Sequence, residues 1–164
     1  MQPEPRSELL EAVASHPLAE LLACPPEAGN LLTGLAESVS LDAGEHVFRQ
    51  GGACRGLYVV VSGQFVRKTE RLKTRLTLGM ARAGDLVELA AALGDGVHTY
   101  TLSAQTPGTV LMLPLEALQN AFSHYPPLRM RLLEELAREV CRAYIACSQH
   151  PPVSRRRRNG RTAV

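Results

Sequence analysis

The sequence predicts a mainly β domain with flanking helices, a jelly-roll-like barrel followed by one long C-terminal helix. Two observations point there. From Ser38 to Leu113 the apolar residues fall in short runs, with turn signals recurring roughly every 8–12 residues, as in sandwiches and jelly rolls. On either side of that stretch the apolar spacing becomes helical.

The elements follow in order. Ser7 to Ala23 has a helical pattern, with Ser7 as N-cap and Pro17 splitting it into two short helices. Pro25-Pro26 breaks it again, and Glu27 to Glu37 forms the next helix around Leu31, Leu32 and Leu35. Strands are expected at Val39–Leu41, His46–Arg49, Leu57–Ser62, Gln64–Thr69, Thr74–Ala81, His98–Ala104 and Thr109–Leu113. Arg75-Leu76-Thr77-Leu78 alternates as a half-buried strand should. Leu115 to Phe122 is a short helix, and Pro126-Pro127 opens a long one running to Ser148.

The apolar positions of that long helix include Leu133, Leu136, Val140, Ala143, Tyr144 and Cys147, spaced close to a 3.5-residue seam. Either the helix packs on its own barrel or it pairs with a second copy through these residues. Pairing is favoured, because the apolar positions cover more than one face. The chain thus divides into a helical segment (1–27), the barrel (28–125), the long helix (126–148) and an Arg-rich tail (149–164) expected to be disordered.

Composition narrows the function. The 164 residues suit one domain with a proper core, and a hydrophobic fraction of 45% is ordinary for a globular chain. No apolar run could span a bilayer and the N-terminus does not read as a signal peptide, so a cytoplasmic protein without membrane contact is expected. Cys24, Cys54, Cys141 and Cys147 show no metal-site spacing and read as free thiols. The net charge of +2 is uneven: SRRRRNGRTAV at the end holds five arginines and no acid, leaving the body mildly acidic. Phosphate contact by that tail would be weak and without sequence preference, and a solvated tail is the simpler reading.

The segment Leu41 to Gly63, LDAGEHVFRQGGACRGLYVVVSG, has glycines at its corners, where they supply backbone angles a β-carbon disfavours. Its order (A-G-E, an aromatic, Gly, then L-Y-x-V-x-S-G) resembles the cyclic nucleotide-binding domain family, and within it the sensor half of Crp/Fnr-type regulators. The resemblance extends from about Ser7 to Ser148. It implies a double-stranded β-helix barrel, a long C-terminal dimerisation helix and one ligand site, the phosphate-binding cassette. The family form of that cassette is Gly-Glu-Leu-Ala, a short helix, then an Arg followed by Ser or Thr about ten residues after the Glu.

The matching segment here is Gly84 to Thr99. The resemblance implies that Glu88 accepts from a ribose hydroxyl, that Leu89 and Ala90 follow it as expected, and that Thr99 supplies the hydroxyl donor. Backbone N–H groups opening the short helix would face the phosphate. Two departures stand out. Val87 replaces the Gly before the Glu, and His98 replaces the Arg, exchanging a two-pronged cation for an imidazole. Losing that charged hydrogen bond costs about 1.5–3 kcal/mol, or roughly 10–150-fold in affinity. On the long helix, Ala143 and Tyr144 stand where cAMP-responsive members contact adenine; Tyr144 either stacks on a base or simply packs.

Two readings remain open: a cassette that still binds a cyclic nucleotide such as cAMP or cGMP, or a barrel kept as a scaffold. His98 is alternatively a packing residue, and Glu88 alternatively a helix cap or the partner of a cation. The 16 residues after Ser148 cannot build the helix-turn-helix with which full-length relatives read DNA, so no sequence-specific DNA binding is expected. A homodimer is expected, as is a heterodimer with a full-length relative or another protein partner. No catalytic residues are assigned: G-x-S-x-G, P-loop and H-E-x-x-H motifs are absent, and so is the H-x-H with a downstream Glu of a metal-holding cupin.

Overall fold

The computed structural model describes residues 18–148. The expected helices before Leu18 and the arginine tail lie outside the described residues.

Two short helices open the fold, α1 (Leu18–Leu21) and α2 (Pro26–Leu35). Eight strands follow: β1 (Glu37–Leu41), β2 (His46–Phe48), β3 (Gly56–Ser62), β4 (Gln64–Arg71), β5 (Thr74–Arg82), β6 (Leu86–Val87), β7 (Thr101–Ala104) and β8 (Gly108–Pro114). A five-residue helix, α3 (Leu89–Leu93), sits between β6 and β7, and α4 (Leu115–His124) and α5 (Pro126–Ser148) end the fold. The strands form two four-stranded sheets, ordered β1-β8-β3-β6 and β2-β7-β4-β5, with antiparallel pairing throughout. This is the expected jelly-roll.

Alternation along β3 and β8 explains why both read as unbroken apolar runs. Leu57, Val59, Leu111 and Leu113 face outward, into a core shared with α1 to α5 that includes Leu22, Leu32, Leu118, Leu128 and Leu132. Tyr58, Val60, Val110 and Met112 face inward, into the barrel core with Phe48, Phe65, Tyr100 and Leu102. The first sheet is therefore covered on both faces, by helices outside and by the second sheet inside. Two glycines let the chain approach itself at the ends of β3. A β-carbon on Gly56 would run into the Leu113 carbonyl, and one on Gly63 (φ +84°) would lie 2.7 Å from the Pro107 oxygen.

Three expectations are corrected. β5 is not half-buried: Leu76 and Leu78 are exposed. β5 is an edge strand, and β7 supports its partner β4 only from Phe65 to Lys68, so the outer half of the β4–β5 hairpin has no layer to pack against. His98 to Tyr100 are not strand. The His98 backbone instead pairs with the Gly51–Gly52 turn, donating to the Gly52 oxygen at 2.9 Å and accepting from the Gly51 N–H at 2.8 Å. Leu136, expected on the pairing face of the long helix, packs half-buried on the core in the same inward row as Leu128 and Leu132. Met130, Leu133, Val140 and Tyr144 lie exposed on α5.

Candidate functional site

The matched segment opens on a tight turn after β5. Gly84 takes φ +90°, and the Asp85 carboxylate accepts from the Arg82 backbone N–H at 2.8 Å. β6 then joins β3 through Tyr58 and Val59, which drives Val87 into the barrel core. Glu88 follows in the left-handed region (φ 70°, ψ 33°), a conformation that costs a residue with a β-carbon about 1–2 kcal/mol. It occupies the N-cap of α3, but its side chain caps no helix N–H. The kink is held from inside the barrel, where the Glu88 N–H donates to the Tyr100 hydroxyl at 3.1 Å.

The Glu88 side chain is fully buried, and its carboxylate is satisfied by the chain itself. His98 Nδ1 lies 2.6 Å from Oε2, so a proton sits between them with the imidazole as donor. The Thr99 N–H donates to the same oxygen at 3.3 Å, and Thr99 Oγ1 donates to Oε1 at 2.9 Å. His98 is locked a second way: its ring stacks on Phe48 with centroids 3.9 Å apart and planes 4° from parallel. The loop between α3 and β7 is stitched to the turn after β2 by the Cys54 N–H to Gly96 oxygen bond of 2.7 Å and the His98–Gly52 pair.

The structure thus brings Glu88, His98 and Thr99 together, with Glu88 and His98 buried and Thr99 at the surface. Leu89 is a core residue of the helical layer, and Ala90 is exposed on α3. Tyr144 belongs to no such cluster; it stands 74% exposed on α5. The side chains of Ala143 and Cys147 lie outside the described residues.

Sequence reading missed Phe48, Tyr100 and Arg67. Phe48 provides the stacking surface and Tyr100 supports the Glu88 backbone. Burial pushes the Tyr100 hydroxyl up to about 12, and the nearby Arg67 charge offsets only part of that shift. Arg67 follows the inward-facing Phe65 by two positions in β4, so strand alternation places it on the barrel side. Its Cζ lies 6.0 Å from the Tyr100 ring centroid, and among the described residues its Nε is the one buried side-chain nitrogen or oxygen without a hydrogen-bond partner. That alternation was the available signal. Among the described residues no group of three His, Cys, Asp or Glu is placed to hold a metal ion, and no helix is long and apolar enough to cross a membrane.

A two-sheet β roll, with a short helix-bearing segment between β6 and β7 and a long helix at its C-terminal end, defines the fold class. The chain belongs to the cyclic nucleotide-binding domain family, whose model matches residues 38–125, more than half of its length. The fold is shared with the sensor domain of the transcriptional regulator DNR from Pseudomonas aeruginosa (22% identity, 91% of this chain and 97% of that one, TM-score 0.68). It is also shared with the N-terminal domain of a transcriptional regulator from Streptomyces coelicolor A3(2) (25% identity, 77% and 91%, TM-score 0.61). The Thermus thermophilus catabolite activator protein matches at 23% identity and TM-score 0.70, with 81% of this chain covering 62% of that one. The resemblance to the cyclic nucleotide-binding domain family is therefore borne out, and the fold is that of these regulators' sensor domains. A search of curated proteins by sequence finds no match.

Proposed function

We propose that this domain is a non-catalytic sensory or regulatory module of the Crp/Fnr type whose phosphate-binding cassette is closed by its own side chains. It takes no cyclic mononucleotide in the family manner, and it acts by pairing with a second copy or a partner regulator through α5. The observation that carries this reading is the Glu88 carboxylate. Thr99 and His98 already fill about three of its four acceptor positions and the group is shut off from solvent, so a ribose hydroxyl reaches it only by opening that cluster. Breaking a buried, charge-assisted hydrogen bond costs about 1.5–3 kcal/mol before any ligand contact is made. His98, turned toward Glu88 and stacked on Phe48, has left the role of a phosphate cation.

Thermal unfolding with cAMP, cGMP and cyclic di-GMP, each at about 1 mM, tests this. A ligand at 100 times its Kd adds about 2.7 kcal/mol of stability and visibly raises the midpoint. The expected outcome is no shift with any of the three. A shift that disappears in Glu88→Ala would restore the other reading, a working cyclic-nucleotide sensor.

The pairing surface has its own support. Met130, Leu133, Val140 and Tyr144 are exposed on α5 at spacings of three, seven and four, which keeps them on one seam while Leu128, Leu132 and Leu136 hold the helix to the core.

A further inference from the structure

Gln50 bonds the backbone of Glu70 in both directions. The Glu70 N–H donates to Gln50 Oε1 at 2.8 Å, and Gln50 Nε2 donates to the Glu70 oxygen at 3.2 Å. One side-chain amide thus stands in for the strand that β4 lacks beyond Lys68, where its pairing with β7 ends. These bonds also fix the orientation of the β4–β5 hairpin. The Glu70 N–H and C=O point away from β5, so Glu70 and Arg75 face each other as a non-hydrogen-bonded pair. Arg75, and Thr77 two positions on, therefore direct their own N–H and C=O groups to the outer edge of β5.

Among the described residues nothing covers that edge. β5 is the last strand of its sheet, and no backbone bond from outside the hairpin falls between Thr74 and Met80. Proteins blunt such edges by keeping them short or placing proline on them. β5 runs nine residues without a proline and is exposed from Thr74 to Leu78, with a bulge opposite Arg67-Lys68 that ends the regular stretch at Thr77. The surroundings are basic. Residues 64–82 hold six cations and one carboxylate, Glu70. Glu70 lies 3.9 Å from Arg75 with both side chains largely in solvent, a pair too loose to neutralise the patch. Strand alternation puts Arg75, Thr77, Lys68 and Glu70 on one face of the hairpin and the exposed Leu76 on the other.

We propose that the outer edge of β5 is a docking site for an extended acidic peptide segment of a protein partner, added as an antiparallel strand beside Thr74–Thr77. Its backbone pairs with Arg75 and Thr77. Its alternate side chains fall on the two faces, so acids meet Arg75 and Lys68 while apolar residues meet Leu76. Charge selects this occupant. The β5 edge of a second copy brings the same cations, and the chain's own C-terminal segment brings five arginines, so both are repelled. A nucleic acid or an anionic membrane offers phosphates but no strand to use the open backbone groups. The site uses neither the cassette nor α5, so it stands apart from the function proposed above.

An amide NMR titration of the full chain tests it, with a capped octapeptide of alternating Glu and Val added to about 5 mM. The signals of Arg75 and Thr77 should move. Residues opposite Arg75 and Thr77 form hydrogen-bonded pairs, so the peptide's glutamates turn their N–H groups to β5. The same peptide N-methylated at its glutamates keeps every charge and should bind at least about tenfold more weakly. Thr77→Pro removes one outward donor without touching the β4 ladder and should weaken the unmethylated peptide about five- to tenfold. Equal binding of the two peptides would overturn strand addition, as would unmoved Arg75 and Thr77 signals. Shifts caused by oligothymidylate or phosphatidylserine vesicles but not by the peptide would overturn it too, and would make the hairpin a phosphate-binding patch. If Thr77→Pro does not fold, the comparison of the two peptides on the wild-type chain decides alone.

Discussion

Glu88 concentrates most of what is particular to this chain. Its backbone is held in a left-handed conformation, its carboxylate accepts three hydrogen bonds, and it lies fully buried. Glu88→Ala leaves the buried His98 ring without its acceptor, while the exposed Thr99 can turn to water, and an unfolding titration in urea should show a loss of about 3 kcal/mol. Glu88→Gln keeps an acceptor for Thr99, and the imidazole can accept from the new amide in its other tautomer, so the loss should be clearly smaller. Equal losses would mean that charge, not hydrogen bonding, holds the cluster. Tyr100 gives a pH signature. Its hydroxyl titrates near 12 in the folded state, against about 10 when exposed. The folded pKa is raised, so the stabilisation is complete below pH 10 and is lost as pH rises through 12. The loss amounts to about 2–3 kcal/mol. Tyr58, also raised by burial, adds to the slope in the same direction. Unfolding measured from about pH 9 to 12 should be shallower in Tyr100→Phe. That variant should also lose about 1 kcal/mol at neutral pH, because the Glu88 N–H no longer has its acceptor.

At the scale of elements, close approach of backbones decides where substitutions are tolerated. Gly34 lies within α2, and an added β-carbon there would meet nothing within 4 Å. Gly34→Ala should raise stability by about 0.5–1 kcal/mol, through helix propensity and a less entropic unfolded chain. Gly56→Ala should lower it by about 1–3 kcal/mol, since the methyl would run into the Leu113 carbonyl where β3 pairs with β8. Chemical denaturation of both variants checks the pair. The β4–β5 hairpin shows the reverse situation, with nothing packed on it. Leu72 at its tip is 92% exposed, and Leu72 and Lys73 both take positive φ, so the turn is set by hairpin twist and not by burial.

At the scale of the whole molecule, α5 joins two surfaces. Its inward row completes the helical core, and its outward row leaves a seam of the kind that a second copy covers. Sedimentation should give a species of twice the 17.8 kDa chain mass at micromolar concentration. Leu133→Glu together with Val140→Glu should return it to one chain with its circular dichroism unchanged, because neither residue belongs to the core. A wild-type monomer under the same conditions would refute the pairing.

The sequence by itself determined the fold. Short apolar runs between turn residues report the jelly-roll, and the Leu41–Gly63 pattern with the Glu88-Leu89-Ala90 match points to the family, because both signals are local: a turn needs its glycine, and a strand needs its alternation. The two rows of α5 were legible as an excess of apolar positions, though not which row Leu136 joins. Only the tertiary structure decided what the cassette residues do. That Glu88 faces His98 and Thr99 depends on a loop folding back onto the Gly51–Gly52 turn, a contact between segments 46 positions apart with no periodic trace. The exposure of Leu76 and Leu78 likewise follows from β5 lying at a sheet edge, which alternation along one strand cannot report.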